Sequence, residues 1–357
     1  MKLFSKIKIN KKEANNRLMM PSMVVFGLDT RDGEIGEFRL DHYEARAKDG
    51  IGTIIVEAAA VSRDYAITPC QVGIWDDSFI DGLSELAERI KKYGSIVIIQ
   101  LQHAGGKPHK DINPNPFGPS EMEYVGHNIR EASADELRNA CDEFVAAAVR
   151  AKKAGFDGIE IHNAHGYLLT QMASPLLNKR TDEYGGTPEK RMKLSIDILK
   201  GIRAECGEDF IIGARFGSNE PSYAEGVVNA KIYEQNGIDY LSASSGYALP
   251  DEKFEVPVDF PNNDIVYGGK IIHDNVKSVP VILVNQIKSF EQGEWLLQQD
   301  YADMIAIGRP LLAVGDMIAR FNRGEAENIC LYCNKPWCWW SKNPSECPGV
   351  KRIKKEK

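Results

Sequence analysis

What the sequence lacks narrows the question first. No apolar run in its 357 residues approaches the roughly 18 that a membrane-crossing helix needs. The first residues, Met1-Lys2-Leu3-Phe4-Ser5-Lys6, contain no apolar core of a secretory leader, so a cytoplasmic protein is expected. Positive charge is not in excess: 44 Lys and Arg stand against 51 Asp and Glu, for a net charge of −7. That argues against a general nucleic-acid binder, whose surface must be basic to meet phosphates. No G-x-G-x-x-G announces a Rossmann dinucleotide site, and no H-E-x-x-H announces a zinc helix. Internal repeats and low-complexity linkers are missing too.

What is present suits an α/β enzyme. Apolar residues make up 43% of the chain, enough to bury a large core without a covalent staple. Short Ile- and Val-rich runs at 17–20, 52–56, 95–101, 158–162, 210–216, 240–243, 279–284 and 304–307 show no polar alternation, as strands covered on both faces do. Helical patterns lie between them. Ser133-Ala134-Asp135-Glu136 is a capping box, Leu137, Cys141, Phe144 and Ala148 mark one face after it, and Gly155 closes the helix. The stretches 77–93, 188–206 and 290–299 read alike. Eight strands, each followed by a helix where one can be found, favour a (β/α)8 TIM barrel over residues 1–323, with a doubly wound open sheet as the runner-up. Both architectures put function at the carboxyl ends of strands. Two long proline-bearing loops, 107–132 and 246–264, read as lids or binding loops.

Those strand ends carry the chemistry. The fourth delivers His162-Asn163-Ala164-His165-Gly166-Tyr167, three proton-handling side chains within six residues. Met20-Pro21-Ser22-Met23-Val24 follows the first strand, and Glu57-Ala58-Ala59-Ala60, small enough for a flat group to approach, follows the second. Gln100 ends the third, Arg215 the fifth and Gly308-Arg309-Pro310 the eighth. Together they suit a flavin. A Gln amide offers a donor and an acceptor to the pyrimidine edge of the ring. An Arg stabilises negative charge on it, and Gly308-Arg309 offers N–H groups and a guanidinium to a phosphate.

With those residues in view, the chain resembles the Old Yellow Enzyme family of FMN-dependent ene-reductases, and within it the branch containing 2,4-dienoyl-CoA reductases. The resemblance runs from Asn16-Arg17 to Arg309-Pro310. It is most specific at His162–Leu169, Ser174-Pro175 and the run from Asn178 to Gly186. It implies a (β/α)8 barrel with FMN at its carboxyl face, a small-molecule alkene substrate, and NADH, NADPH or an electron-carrier protein as reductant. It implies that His162 and His165 hydrogen-bond the substrate's activating oxygen. Tyr167 would give a proton to the α-carbon while flavin N5 delivers hydride to the β-carbon. Pro21, Ser22, Met23, Val24, Ala58, Gln100 and Arg215 would surround the ring, and Gly308 and Arg309 the phosphate. Two aligned donors lower the barrier to charge on the oxygen by roughly 3 kcal/mol each. A tyrosine with a pKa near 10 stays protonated at neutral pH, as a general acid must. Asn178, Arg180, Asp182 and Glu183 are expected to brace the fourth βα loop.

The sequence departs from that pattern twice. Where these barrels carry two phosphate-facing glycines after the seventh strand, this chain has Asn285 and Gln286, for which positive φ costs more. The tail, 324–357, crowds Cys330, Cys333, Cys338 and Cys347 into C-x2-C-x4-C-x8-C, close to a [4Fe-4S] pattern but spaced differently, with structural zinc or free thiols as alternatives. Trp337, Trp339 and Trp340 read as packing. Dehydrogenation or demethylation on the same barrel, and a flavin electron-transfer module without turnover, are rival functions. Self-association is left open.

Overall fold

In the computed structural model, residues 1–25, 30, 32–245, 254–333, 338, 343 and 346–356 are described. Eight parallel strands close into a barrel in simple sequence order: β1 Leu18–Met20, β2 Thr53–Ala60, β3 Ile96–Gln102, β4 Gly158–Asn163, β5 Ile211–Gly217, β6 Tyr240–Ser244, β7 Val281–Leu283 and β8 Met304–Ala306. Each of the eight sequence-expected strands is there, displaced by a few residues at most. A helix follows every strand: Glu37–Lys48, Ile80–Lys91, Ala134–Lys153, Lys193–Cys206, Tyr223–Gln235, Asp264–Asn275, Phe290–Gln298, and Arg309–Ala313 with Met317–Asn322. The open-sheet alternative is thereby set aside. Among the described residues no helix is long and apolar enough to cross a membrane.

Local chemistry explains the elements. The helix Ala134–Lys153 starts on the expected capping box, with Ser133 accepting from the Glu136 N–H and Glu136 reaching back. Leu137, Phe144 and Ala148 of its predicted face are buried, and Gly155 takes φ 86° just past its end. In the strands, residues facing outward pack under the helices. Those facing inward form a separate apolar cluster of Met19, Ile55, Ile98, Ile211, Tyr240, Ile282 and Met304.

Two features escaped the sequence. A hairpin, Ile7–Ile9 with Lys12–Ala14, buries Ile9 and Ala14 completely in that inner cluster and so stops the amino-terminal end of the barrel. The 107–132 segment, expected to be a loop, folds into a small sheet of Phe117–Gly118, Met122–Tyr124 and His127–Glu131. Its strands are two to five residues long, too brief to show a period. Of the second long loop, 246–253 lie outside the described residues, as do the three tail tryptophans. The bracing role given to the fourth βα loop is visible. Arg180 pairs with Asp182 and donates to the Ala132 carbonyl, Asn178 donates to the Met172 and Tyr184 carbonyls, and Glu183 faces Lys193 at 3.8 Å.

Candidate active site

The hexapeptide sits where β4 ends. His162 points into the barrel, while Asn163, on the opposite face of the pleat, donates to the Tyr233 hydroxyl at 3.0 Å. After the strand the chain turns sharply, with φ of 62° at His165 and 69° at Gly166. Histidine tolerates that left-handed geometry better than most side chains, and the surroundings pin it. Lys107 Nζ donates to the His165 carbonyl at 2.7 Å, and Tyr124 Oη and Gln171 Nε2 donate to that of Gly166 at 2.8 and 2.9 Å. The turn brings the three predicted residues together. The His162 and His165 rings lie edge to face at 4.9 Å, and His162 and Tyr167 at 5.1 Å.

The two imidazoles are bonded to each other, Nε2 of His162 to Nδ1 of His165 at 2.8 Å, and His165 Nε2 meets Ser244 Oγ at 3.0 Å. His162 Nδ1 is buried without a hydrogen-bond partner. Two donors aimed at one oxygen were expected; here the facing nitrogens of the two rings are engaged with each other. Burial, and after it the positive Arg215, holds both rings well below the ordinary histidine pKa, so each is neutral and has one N–H to give. Burial pushes the Tyr167 phenol up to about 12. Lys107 stands over the Tyr167 ring at 4.3 Å, its pKa lowered by burial to about 8 against the upward pull of Glu220. Sequence reasoning placed Lys107 in a loop and missed both it and Ser244. Its only signal was its position directly after Gly105-Gly106 at the mouth.

Below this turn lies a buried polar layer. Ser22 Oγ donates to Gln100 Oε1 at 2.9 Å, and Gln100 Nε2 donates to Glu160 Oε1 at 2.7 Å. Arg215 Nη1 donates to the Ser22 carbonyl at 2.9 Å, while its Nε is buried with no partner. Ala58 falls where the β2–β3 register slips between Val56 and Ala59, an irregularity that re-aims a strand end. Its carbonyl accepts from Gln71. The Pro21–Val24 segment is held from behind: Glu57 accepts from the Val25 N–H at 3.2 Å and from Arg39 Nε at 3.0 Å, with both side chains of that pair wholly buried.

One cavity of about 170 Å³ runs from Arg215 past Pro21 and Met23 to Asn285, Gln286, Gly308, Arg309 and Tyr332. It joins the ring-side and phosphate-side residues that the sequence could only set out separately. Asn285 and Gln286 keep left-handed backbones, φ 100° and 50°, although neither is glycine. Both positions thus hold a positive φ that glycine would adopt more freely. A Cβ at Gly308 would press on Met23 Sδ at 3.1 Å, a tight contact that a shift of the Met23 side chain would have to relieve. The tail contributes Tyr332, whose ring lies 4.6 Å from the Arg309 guanidinium. A buried guanidinium with an idle N–H at one end, and a cation with left-handed backbone turns at the other, fit an elongated anionic cofactor such as FMN.

A metal fits less well. Cys338 and Cys347 lie close enough to Cys330 to act on its charge, and Cys347 is buried against Val25 and Leu312. None of the four tail cysteines is in a disulfide, and among the described residues no three His, Cys, Asp or Glu side chains gather as a metal-holding group. Cys330, Cys333, Cys338 and Cys347, expected as ligands, are not arranged as a set here. The spacing C-x2-C-x4-C-x8-C brings three of them near one another without converging their thiols.

Comparison with known proteins places this site in a family. The model of the NADH:flavin oxidoreductase / NADH oxidase family matches residues 2–328. The chain is 37% identical over 315 residues to an NADPH dehydrogenase of Halalkalibacterium halodurans, covering 87% of this chain and 91% of that one. It is 36% identical over 344 residues to an NADH oxidase of Thermoanaerobacter brockii, covering 93% of this chain, which spans about half (52%) of that relative's length. The old yellow enzyme homologue from Zymomonas mobilis superposes with a TM-score of 0.77 at 27% identity, over 90% of this chain and 92% of that one. Morphinone reductase in complex with tetrahydroNAD superposes with a TM-score of 0.77 at 25% identity, over 91% of each chain. The chain belongs to the NADH:flavin oxidoreductase / NADH oxidase family, and its barrel is that of an FMN-dependent NAD(P)H oxidoreductase.

Proposed function

We propose that this protein reduces C=C bonds activated by a neighbouring carbonyl, taking its electrons from NADH or NADPH through FMN. The observation that carries the reading is the grouping of neutral His162 and His165, Ser244 and Tyr167 directly above the buried Gln100–Arg215 layer. Bound in the cavity between Arg215 and Arg309, FMN supplies the electron pair. Pro21, Ser22, Met23, Val24, Ala58 and Gln100 would surround its ring, and Gly308 and Arg309 would hold its phosphate, near Asn285 and Gln286.

The chain's own residues do the rest. A substrate oxygen replaces the bond between the two imidazoles and accepts from each, and neutral rings can donate without a prior protonation step. Ser244 fixes His165 from the far side. Tyr167, with its pKa near 12, keeps its proton until a carbon base appears beside it. Purified protein should show, or acquire on adding FMN, a flavin absorption spectrum perturbed by phenols. A chain that neither carries nor takes up FMN overturns the reading.

Lys107 adds a pH dependence. Below about pH 8 it is an ammonium over the Tyr167 ring, and above it the charge is lost. Nitrate binding, followed by flavin absorbance, is therefore expected to weaken as pH rises through about 8. Lys107→Met should weaken it by roughly tenfold at pH 7, about 1.4 kcal/mol, and flatten the profile. A wild-type profile that stays flat from pH 6.5 to 9 removes Lys107 from the site.

A further inference from the structure

The buried carboxylate of Glu160 has no part in the chemistry described so far, yet it sits at the centre of the layer beneath it. Across β3 to β6 the register aligns Gln100, Glu160, Gly213 and Tyr240 on one level. Gly213 is empty space in that row: a Cβ there would lie 2.0 Å from the Tyr240 ring. The phenol uses the gap to reach across β5, and Tyr240 Oη donates to Glu160 Oε2 at 3.0 Å. From the other side Gln100 Nε2 donates to Oε1 at 2.7 Å. Glu160 is 1% exposed and Tyr240 fully buried. The next level up, in register, holds His162, Arg215 and Ser242.

Both oxygens of Glu160 are thus met by neutral donors, the arrangement a carboxylate needs when it is kept ionised out of water. The cation that acts on it is Arg215, on the neighbouring level, whose Nε is buried without a hydrogen-bond partner. Burial pushes the Glu160 carboxyl up, while Arg215 and the two donors pull it back toward the ionised form, so two adjacent levels hold an acid and a guanidinium on fixed strands.

We propose that Glu160 is a positioning residue of the flavin site that offsets the charge of Arg215 and locks the Gln100 amide, and so holds the reduction potential of bound FMN down. The inference rests on the FMN reading above. By accepting from Nε2, Glu160 fixes which end of the amide faces Ser22, and hence which face Gln100 shows the ring. By its charge it cancels part of the attraction Arg215 exerts on the more negative reduced form. Removing that charge leaves Arg215 uncompensated and favours reduction.

The test is potentiometric titration of the FMN-loaded full chain, wild type against Glu160→Gln, Glu160→Asp and Tyr240→Phe. Glu160→Gln should favour the reduced form at least tenfold, a rise of about 30 mV for a two-electron couple. Glu160→Asp keeps the charge and should stay near wild type even if it melts earlier. Tyr240→Phe withdraws one of the donors that favour the ionised carboxyl, so Glu160 takes up a proton more readily and the potential should rise by a smaller amount; it serves as a second variant if Glu160→Gln does not fold. Variants that lose thermal stability but titrate at the wild-type potential make Glu160 merely structural and overturn the proposal. A wild-type protein that takes up no FMN overturns the FMN reading and this inference with it, so the two failures are told apart.

Discussion

Replacing Tyr167 with phenylalanine is expected to slow alkene reduction by about 10²- to 10⁴-fold, the usual contribution of a positioned general acid. Reduction of the bound flavin by NAD(P)H should be essentially unchanged. The asymmetry follows from geometry. The ring stays wedged edge-on against His162 and under Lys107 whether or not it carries a hydroxyl, so the substitution removes a proton and little packing. Stopped-flow measurement of the two half-reactions separates the cases. Equal slowing of both would mean that the phenol positions the nicotinamide, and no slowing of either would remove Tyr167 from catalysis. Activity regained at low pH with solvent as the acid would support the proton role further.

Arg39→Met is expected to cost about 3–5 kcal/mol of folding stability, because it strands the Glu57 carboxylate in the core. Both partners are 0% exposed, and Arg39 also donates to the Cys70 carbonyl at 2.7 Å. The loss should show as a lower denaturation midpoint with an unchanged denaturant slope. It should also weaken FMN binding, since Glu57 holds the Val25 N–H and with it the segment carrying Pro21 to Val24. Arg39→Met combined with Glu57→Leu should recover most of the stability by removing both charges. A single variant within 1 kcal/mol of wild type would show that this pair is not what secures the segment.

The legible parts of this molecule were those written in consecutive residues. Strands such as Ile96–Gln102 announce themselves by unbroken β-branched runs, and the helix Ala134–Lys153 by its capping box. The hexapeptide is a local string too, which is why His162, His165 and Tyr167 were found before any fold was known. What stayed hidden is made by register. Nothing near Tyr240 in sequence says that it reaches over Gly213 to Glu160, because that contact depends on three strands lying side by side. Lys107 was hidden likewise, since its partners His165 and Tyr167 are 58 residues and more away. The mutual bond of the two histidines was unreadable for another reason: identical residue types allow either a shared target or each other. The cysteine tail is the reverse case, a legible spacing with no metal-holding group among the described residues to say what it does.

The amino-terminal hairpin has a consequence for traffic. With Ile9 and Ala14 seated in the inner apolar cluster, the amino-terminal end of the barrel has a floor. If FMN sits as proposed, its electron donor and its acceptor would reach it from the opposite, carboxyl end, by turns. On that proposal a surplus of either one would hold the space the other needs and delay the cycle it feeds.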